Sequence, residues 1–214
     1  KQMRHLSSRT SRAIQCLTFS SSARYLAIGE NAFRAPEITI FEFSYDEDTN
    51  RTVDIVAVKN LRGHKYGIEA LRFSPSGDYL VSLGEPNDRG LFVWDWKQER
   101  KVSSNKLSKP VMCLAFSDNN DFFVTAGYQH LKYWYLDDNG KPLVVQKGSR
   151  DCIMESKTAE LEKVKTKIFV GVSIAESKVY SLTSEGHVYV FDKQRKLVKW
   201  MNIKVERAFG CSVS

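Results

Sequence analysis

The sequence predicts an all-β protein made of about four copies of one four-stranded unit, and three observations predict it. First, a five-residue phrase recurs as Cys16-Leu17-Thr18-Phe19-Ser20, Ala70-Leu71-Arg72-Phe73-Ser74 and Cys113-Leu114-Ala115-Phe116-Ser117. Each copy alternates apolar residues at period two, the pattern of a half-buried strand. Second, each phrase is followed by a polar turn and an apolar run ending in glycine, at 25–29, 79–84 and 122–127. Third, a further run closes each unit on an aromatic side chain. These anchors, Phe41, Trp94, Trp134 and Phe191, lie 53, 40 and 57 residues apart. A basic period of about 40 with two insertions, carrying three apolar strands and a looser fourth, is what one blade of a β-propeller requires.

Taken in order, the units fall at approximately 13–61, 68–107, 111–145 and 168–203, with 207–214 expected as the first strand of a following unit. The first unit runs through 38–43 into an acidic and polar insertion at 46–52. The second has the clearest turn, Ser74-Pro75-Ser76-Gly77-Asp78, where Pro and Gly suit a tight reversal. The third ends its apolar run on Leu131 to Trp134, then Tyr135 and Leu136. The fourth is weak at its start but keeps Val179-Tyr180-Ser181-Leu182-Thr183 and Val188-Tyr189-Val190-Phe191-Asp192. A second insertion, 147–167, contains good helix formers around Leu161 and Val164, so a brief helix and a mobile loop both stay open for it.

Composition sets outer bounds. At 214 residues and 42% hydrophobic content the chain has enough material for a sizeable core. No run of 18 apolar residues occurs and the basic, Ser-rich start has no apolar stretch behind it, so neither a membrane span nor a secretory signal is expected. Cys16, Cys113, Cys152 and Cys211 form no CxxC pair, which suits a reducing intracellular compartment. The formal charge of +7 invites a nucleic-acid partner. Acids are interspersed with the bases through most of the chain, however, and only 1–12 and 193–204 are dense in Lys and Arg. Nucleic-acid association through those two segments is therefore the alternative reading and solvated faces the preferred one.

The second unit resembles the WD repeat: Gly63-His64 precedes its first strand, Ser82 sits on the second, Asp88 in the next turn, and Trp94-Asp95 closes the third. In that family the His, Ser/Thr, Asp and Trp of one blade form a hydrogen-bonded tetrad, which the resemblance assigns to His64, Ser82, Asp88 and Trp94. A buried imidazole and a buried indole N–H each need partners. The same residues could suggest a nucleophilic triad, but no Gly-x-Ser-x-Gly elbow surrounds Ser82. The other units depart from the pattern, with Phe41 and Phe191 in place of Trp, so incomplete tetrads held by apolar packing are expected there. His130 and His187 stand four residues before Trp134 and Phe191 and read as turn-facing histidines, not as a metal pair, since no third ligand is visible. No P-loop, dinucleotide fingerprint or HExxH occurs. No enzyme activity, no cofactor and no metal are expected.

Longer phrases narrow the resemblance. Gly63-His64-Lys65-Tyr66-Gly67, Val93-Trp94-Asp95-Trp96-Lys97, Ser104-Asn105-Lys106, the run from Phe123 through His130-Leu131-Lys132-Tyr133-Trp134 to Asp138, and Leu197-Val198-Lys199-Trp200 resemble the mitogen-activated protein kinase-binding protein 1 and WD repeat-containing protein 62 family. That resemblance implies a cytoplasmic scaffold that binds Jun N-terminal kinase pathway components and acts at centrosomes and spindle poles. In that family the kinase-docking motifs generally lie in a long C-terminal part outside these repeats. Four units do not close a ring of this type, so a fragment is expected, or self-association through open blade edges. Partner contacts are expected in exposed turns, with Glu85, Asn87, Arg89, Tyr128 and Gln129 as candidates.

Overall fold

A computed structural model describes residues 13–32, 34–46, 51–147, 151–161 and 167–205. All regular structure among them is β, in antiparallel sheets. Blade 1 comprises β1 (Ala13–Phe19), β2 (Tyr25–Asn31), β3 (Glu37–Asp46) and β4 (Arg51–Arg62). Blade 2 comprises β5 (Ile68–Phe73), β6 (Tyr79–Gly84), β7 (Gly90–Asp95) and β8 (Arg100–Lys106). Blade 3 begins with β9 (Val111–Phe116), β10 (Phe122–Gly127) and β11 (His130–Tyr135), then departs from the plan. A two-stranded hairpin, β12 (Val144–Lys147) and β13 (Asp151–Met154), intervenes before the fourth strand, β14 (Ser156–Thr158). Blade 4 is β15 (Phe169–Ala175), β16 (Lys178–Thr183), β17 (His187–Phe191) and β18 (Leu197–Asn202).

The repeated phrase acquires a structural reason at its serine. Ser20, Ser74 and Ser117 each end a first strand, and each hydroxyl accepts the backbone N–H that opens the second strand, from Tyr25 at 3.0 Å, Tyr79 at 3.0 Å and Phe122 at 3.2 Å. The backbone N–H of each serine donates in return to the carbonyl of Tyr25, Tyr79 or Phe122. The phrase thus specifies a strand together with the turn that ends it.

Packing is between neighbouring blades. Ala27, Ile38, Ile40 and Leu61 of blade 1 meet Ile68, Leu71, Phe73, Leu80, Trp94 and Trp96 of blade 2. Val81, Leu83, Leu91 and Val93 on the other side of blade 2 meet Val111, Leu114, Phe123 and Trp134 of blade 3. Val124, Ala126, Leu131 and Tyr133 then meet Phe169, Val172, Ile174, Val179 and Phe191 of blade 4. Blades 2 and 3 are therefore apolar on both faces, and each seam buries several large side chains worth about 1.5–3 kcal/mol apiece. Among the described residues no strand joins blade 4 to blade 1, and blade 1 keeps a fourth cluster, Leu26, Ile28 and Phe41, on the face turned away from blade 2.

One expectation changes. The described part of the second insertion, 151–161, holds β13 and β14, while 162–166, where most of its helix formers stand, lie outside the described residues. The insertion thus holds the outer strand of blade 3, which extends to Thr158 and not to 145. β14 forms on the open edge of β11, where Lys132, Tyr133 and Trp134 pair with Thr158, Lys157 and Ser156. The basic segment 1–12, the proposed next strand 207–214 with Cys211, and 162–166 lie outside the described residues, as does most of the 46–52 insertion.

Candidate partner-binding surface

The turns joining second to third strands lie at one end of the blades, and a repeated bond holds them there. The first residue of each turn donates its backbone N–H to the connection entering the same blade: Glu85 to Gly67 at 2.8 Å, Tyr128 to Pro110 at 2.9 Å, Ser184 to Ile168 at 3.0 Å.

Blade 2 adds a side-chain chain beneath its turn. Trp94 Nε1 donates to Ser82 Oγ at 2.8 Å, Ser82 Oγ and His64 Nε2 are 2.7 Å apart, and His64 Nδ1 and Asp88 Oδ2 are 2.6 Å apart. All four residues are buried. One directional assignment satisfies every atom: indole to hydroxyl, hydroxyl to a neutral imidazole, imidazole to carboxylate. Burial lowers the His64 pKa, opposed by Asp88; at Asp88 burial acts to raise the pKa, but the bond and charge of His64 and the Lys65 N–H outweigh it and hold the carboxyl below its ordinary value. Gly84 is required beside them, since a Cβ there would stand 2.5 Å from Asp88 Oδ2 and 2.7 Å from His64 Nδ1. Ser82 already receives the indole and faces the imidazole inside the core, so this is a structural strut with no room for substrate.

Blade 3 corrects the expectation of purely apolar packing. Trp134 Nε1 donates to Thr125 Oγ1 at 2.8 Å, and Thr125 Oγ1 lies 2.8 Å from His130 Nε2. His130 is buried and does not face outward from its turn. Its imidazole replaces the one that blade 2 draws from the loop before its first strand. Burial pushes its pKa down to about 4, with Lys132 and Lys109 adding to the shift. In blade 4, where Phe191 supplies no indole, Ser181 Oγ turns to the Tyr189 carbonyl at 3.1 Å. His187 instead packs its ring 5.9 Å from Trp200, and its Nδ1 is 3.7 Å from Glu185. Among the described residues no group of three His, Cys, Asp or Glu is arranged to hold a metal ion.

These struts place the candidate side chains. Asn87 and Arg89 are exposed at the blade 2 turn, with Glu85 half-buried beside them. Tyr128 is 45% exposed at the equivalent turn of blade 3, next to half-buried Gln129. Arg89 and Gln129, the last residue of each turn, both have left-handed backbones, φ 53° and 49°, although the blade 2 turn spans 85–89 and the blade 3 turn only 128–129. Arg89 reaches toward blade 3, donating Nη1 to the Ser108 carbonyl at 3.2 Å, and Lys109 Nζ donates to Gln129 Oε1 at 2.8 Å. The two turns are thereby joined into one surface. The residues sequence reasoning missed are His130, the connector Lys109, and Asn105, which holds the hairpin base through two bonds to the backbone of Met154.

The comparisons with known proteins agree with this architecture. The family described as "WD domain, G-beta repeat" matches residues 56–95 and 96–134. WD repeat-containing protein 62 of Mus musculus is 31% identical over all of this chain, and Mitogen-activated protein kinase-binding protein 1 of Mus musculus is 30% identical over 98% of it. Cilia- and flagella-associated protein 52 of Macaca fascicularis is 26% identical over 86%. The chain spans 13% of the length of the first two and 30% of the third. The β-propeller domain of Cps50 (Swd1) from Myceliophteria thermophila superposes with a TM-score of 0.67 at 16% identity, covering 94% of this chain and 58% of that one. That likeness fixes the fold: WD-type β-propeller blades.

Proposed function

This chain is a WD40-repeat protein, homologous to WD repeat-containing protein 62 and Mitogen-activated protein kinase-binding protein 1, and from that premise we propose that it is a non-catalytic platform for protein binding within a scaffold for Jun N-terminal kinase signalling and centrosome or spindle function. The observation that supports it best is the paired turn surface. Rigid struts beneath the turns hold Glu85, Asn87, Arg89, Tyr128 and Gln129 in place at one end of two joined blades. Exposed Tyr128, on a turn held by its backbone bond to Pro110, and Arg89, tethered to the Ser108 carbonyl, are of the residue types that carry interface energy. The homologues named for kinase binding and for cilia and flagella support a cytoskeleton-associated, kinase-linked partner set.

Biolayer interferometry of the purified chain against purified Jun N-terminal kinase tests the kinase part. Binding that falls at least about tenfold in Tyr128→Ala and Arg89→Ala supports this surface. No binding at about 100 μM, near 5.5 kcal/mol, removes the kinase from the partners of this surface. Proximity labelling in cells that express this chain, without enrichment of centrosomal neighbours, removes the second part.

A further inference from the structure

The β12–β13 hairpin is an addition to the blade plan. It leaves the blade after β11, at the end opposite the Tyr128 turn, and runs toward blade 2. Its base is locked: Asn105 of β8 donates Nδ2 to the Met154 carbonyl at 2.9 Å and accepts the Met154 N–H at 3.0 Å, while the Met154 side chain is buried in the seam of blades 2 and 3. The cross-strand pair of Val144 and Met154 shares one face, on which Met154 enters the seam while Val144 stays 36% exposed at the β12 edge. The pair of Val145 and Ile153 therefore occupies the opposite face, with Leu143 two residues before Val145. That face is open, with Leu143 50% and Val145 48% exposed.

A cavity of about 410 Å³ opens beside it, lined by Tyr135, Leu143, Val144, Val145, Glu155 and Lys157. Within the described residues β12 pairs only with β13, so its other edge offers free backbone donors and acceptors. A two-stranded hairpin showing an apolar face and a free edge is a liability in isolation and a ready site for strand addition. Charge indicates what kind of strand. Residues 139–158 carry four basic and two acidic side chains within a chain of net charge +7. Among the described residues Lys157 is engaged by no carboxylate, its ammonium lying 5.6 Å from the Tyr135 ring at the cavity wall.

We propose that the free edge of β12 docks an extended segment of a partner protein, with apolar side chains at alternate positions entering the cavity and an acidic side chain beyond them meeting Lys157. The surface is separate from the paired turns, so its failure leaves the proposed kinase-linked platform standing.

Fluorescence polarization with two labelled peptides tests this. One presents leucines at alternate positions followed at the same spacing by glutamate, Gly-Ser-Leu-Thr-Leu-Thr-Glu-Gly, and the other has lysine for the glutamate. The acidic peptide is expected to bind in the micromolar range and the basic one at least about tenfold more weakly. Lys157→Glu, at an exposed position, should reverse that preference, and Val145→Asp, also exposed, should abolish binding of both. No binding to the unaltered chain, equal binding of the two peptides, or binding indifferent to Val145→Asp overturns the proposal. Sedimentation of the chain alone supplies the remaining arm. A dimer lost in Val145→Asp means that a second copy occupies the edge and also overturns it, whereas a monomer supports it.

Discussion

His130 and Thr125, five residues apart on the two strands of one hairpin, are joined by a 2.8 Å contact between Nε2 and Oγ1. The same hydroxyl accepts from Trp134 at 2.8 Å, so blade 3 builds from a single hairpin what blade 2 assembles from two strands, the turn between them and the loop before its first strand. If the three act as a unit, their substitutions are not additive. A double-mutant cycle of Thr125→Val and His130→Phe, read by urea denaturation, should give a coupling of about 0.5–3 kcal/mol. Additive losses would mean that the two residues contribute separately through packing.

The buried imidazole also makes stability depend on pH. His130 has a folded pKa of about 4 against an ordinary 6.5, so the unfolded chain binds its proton more readily. Its contribution is complete above about pH 6.5 and is lost as pH falls through about 4, amounting to about 3 kcal/mol over that window. His64, also lowered by burial, acts with the same sign. Urea midpoints between pH 4 and 7 should therefore fall on acidification, and His130→Gln should flatten the dependence without abolishing it. An unchanged slope would count against a neutral His130.

In blade 2, Ser82→Ala removes the atom that serves both Trp94 and His64. Each buried group left without a partner costs about 1–3 kcal/mol, so Ser82→Ala should exceed Ser181→Ala, whose hydroxyl bonds one backbone carbonyl. Equal losses in urea denaturation would show that the blade 2 chain is worth no more than one hydrogen bond.

The two networks mark how far the sequence could be read. His64, Ser82, Asp88 and Trp94 were legible because a complete motif fixes each one's place relative to a strand. The His130 network was not, since its histidine comes from the near side of the hairpin. The signal was present as Thr125, His130 and Trp134, with the histidine opening the strand that carries the tryptophan four residues on. β14 was hidden for another reason: Ser156-Lys157-Thr158 has no apolar alternation, and only the open edge of β11 makes it a strand. The apolar seams, by contrast, were visible as period-two runs before any pairing was known.

Asn105 should be the residue on which the added hairpin depends. Asn105→Ala leaves the Met154 N–H and carbonyl without the partners they have now, at about 1–3 kcal/mol each if water stays excluded. Hydrogen exchange should then accelerate at 151–154 while β10 and β11 keep their protection. Acceleration spread over the whole of blade 3 would mean that the hairpin is integral to the blade.

Leu17 and Leu71 occupy the same place in the repeated phrase, yet one is 55% exposed and the other fully buried. The register explains the equivalence: Leu17 lies opposite Ile28 on β2 and Leu71 opposite Ser82 on β6, in matching steps of the two blades. Leu71 faces a preceding blade and joins its seam, whereas Leu17 belongs to the face of blade 1 turned away from blade 2. Propensity and pattern are equal at the two sites, so any difference in cost comes from the seam. Leu71→Ala should lose about 2–5 kcal/mol through lost burial and the cavity left behind. Leu17→Ala should stay within about 0.5 kcal/mol, as exposed substitutions do. Comparable losses in urea denaturation would show that Leu17 is covered in solution and that its face, too, is a seam.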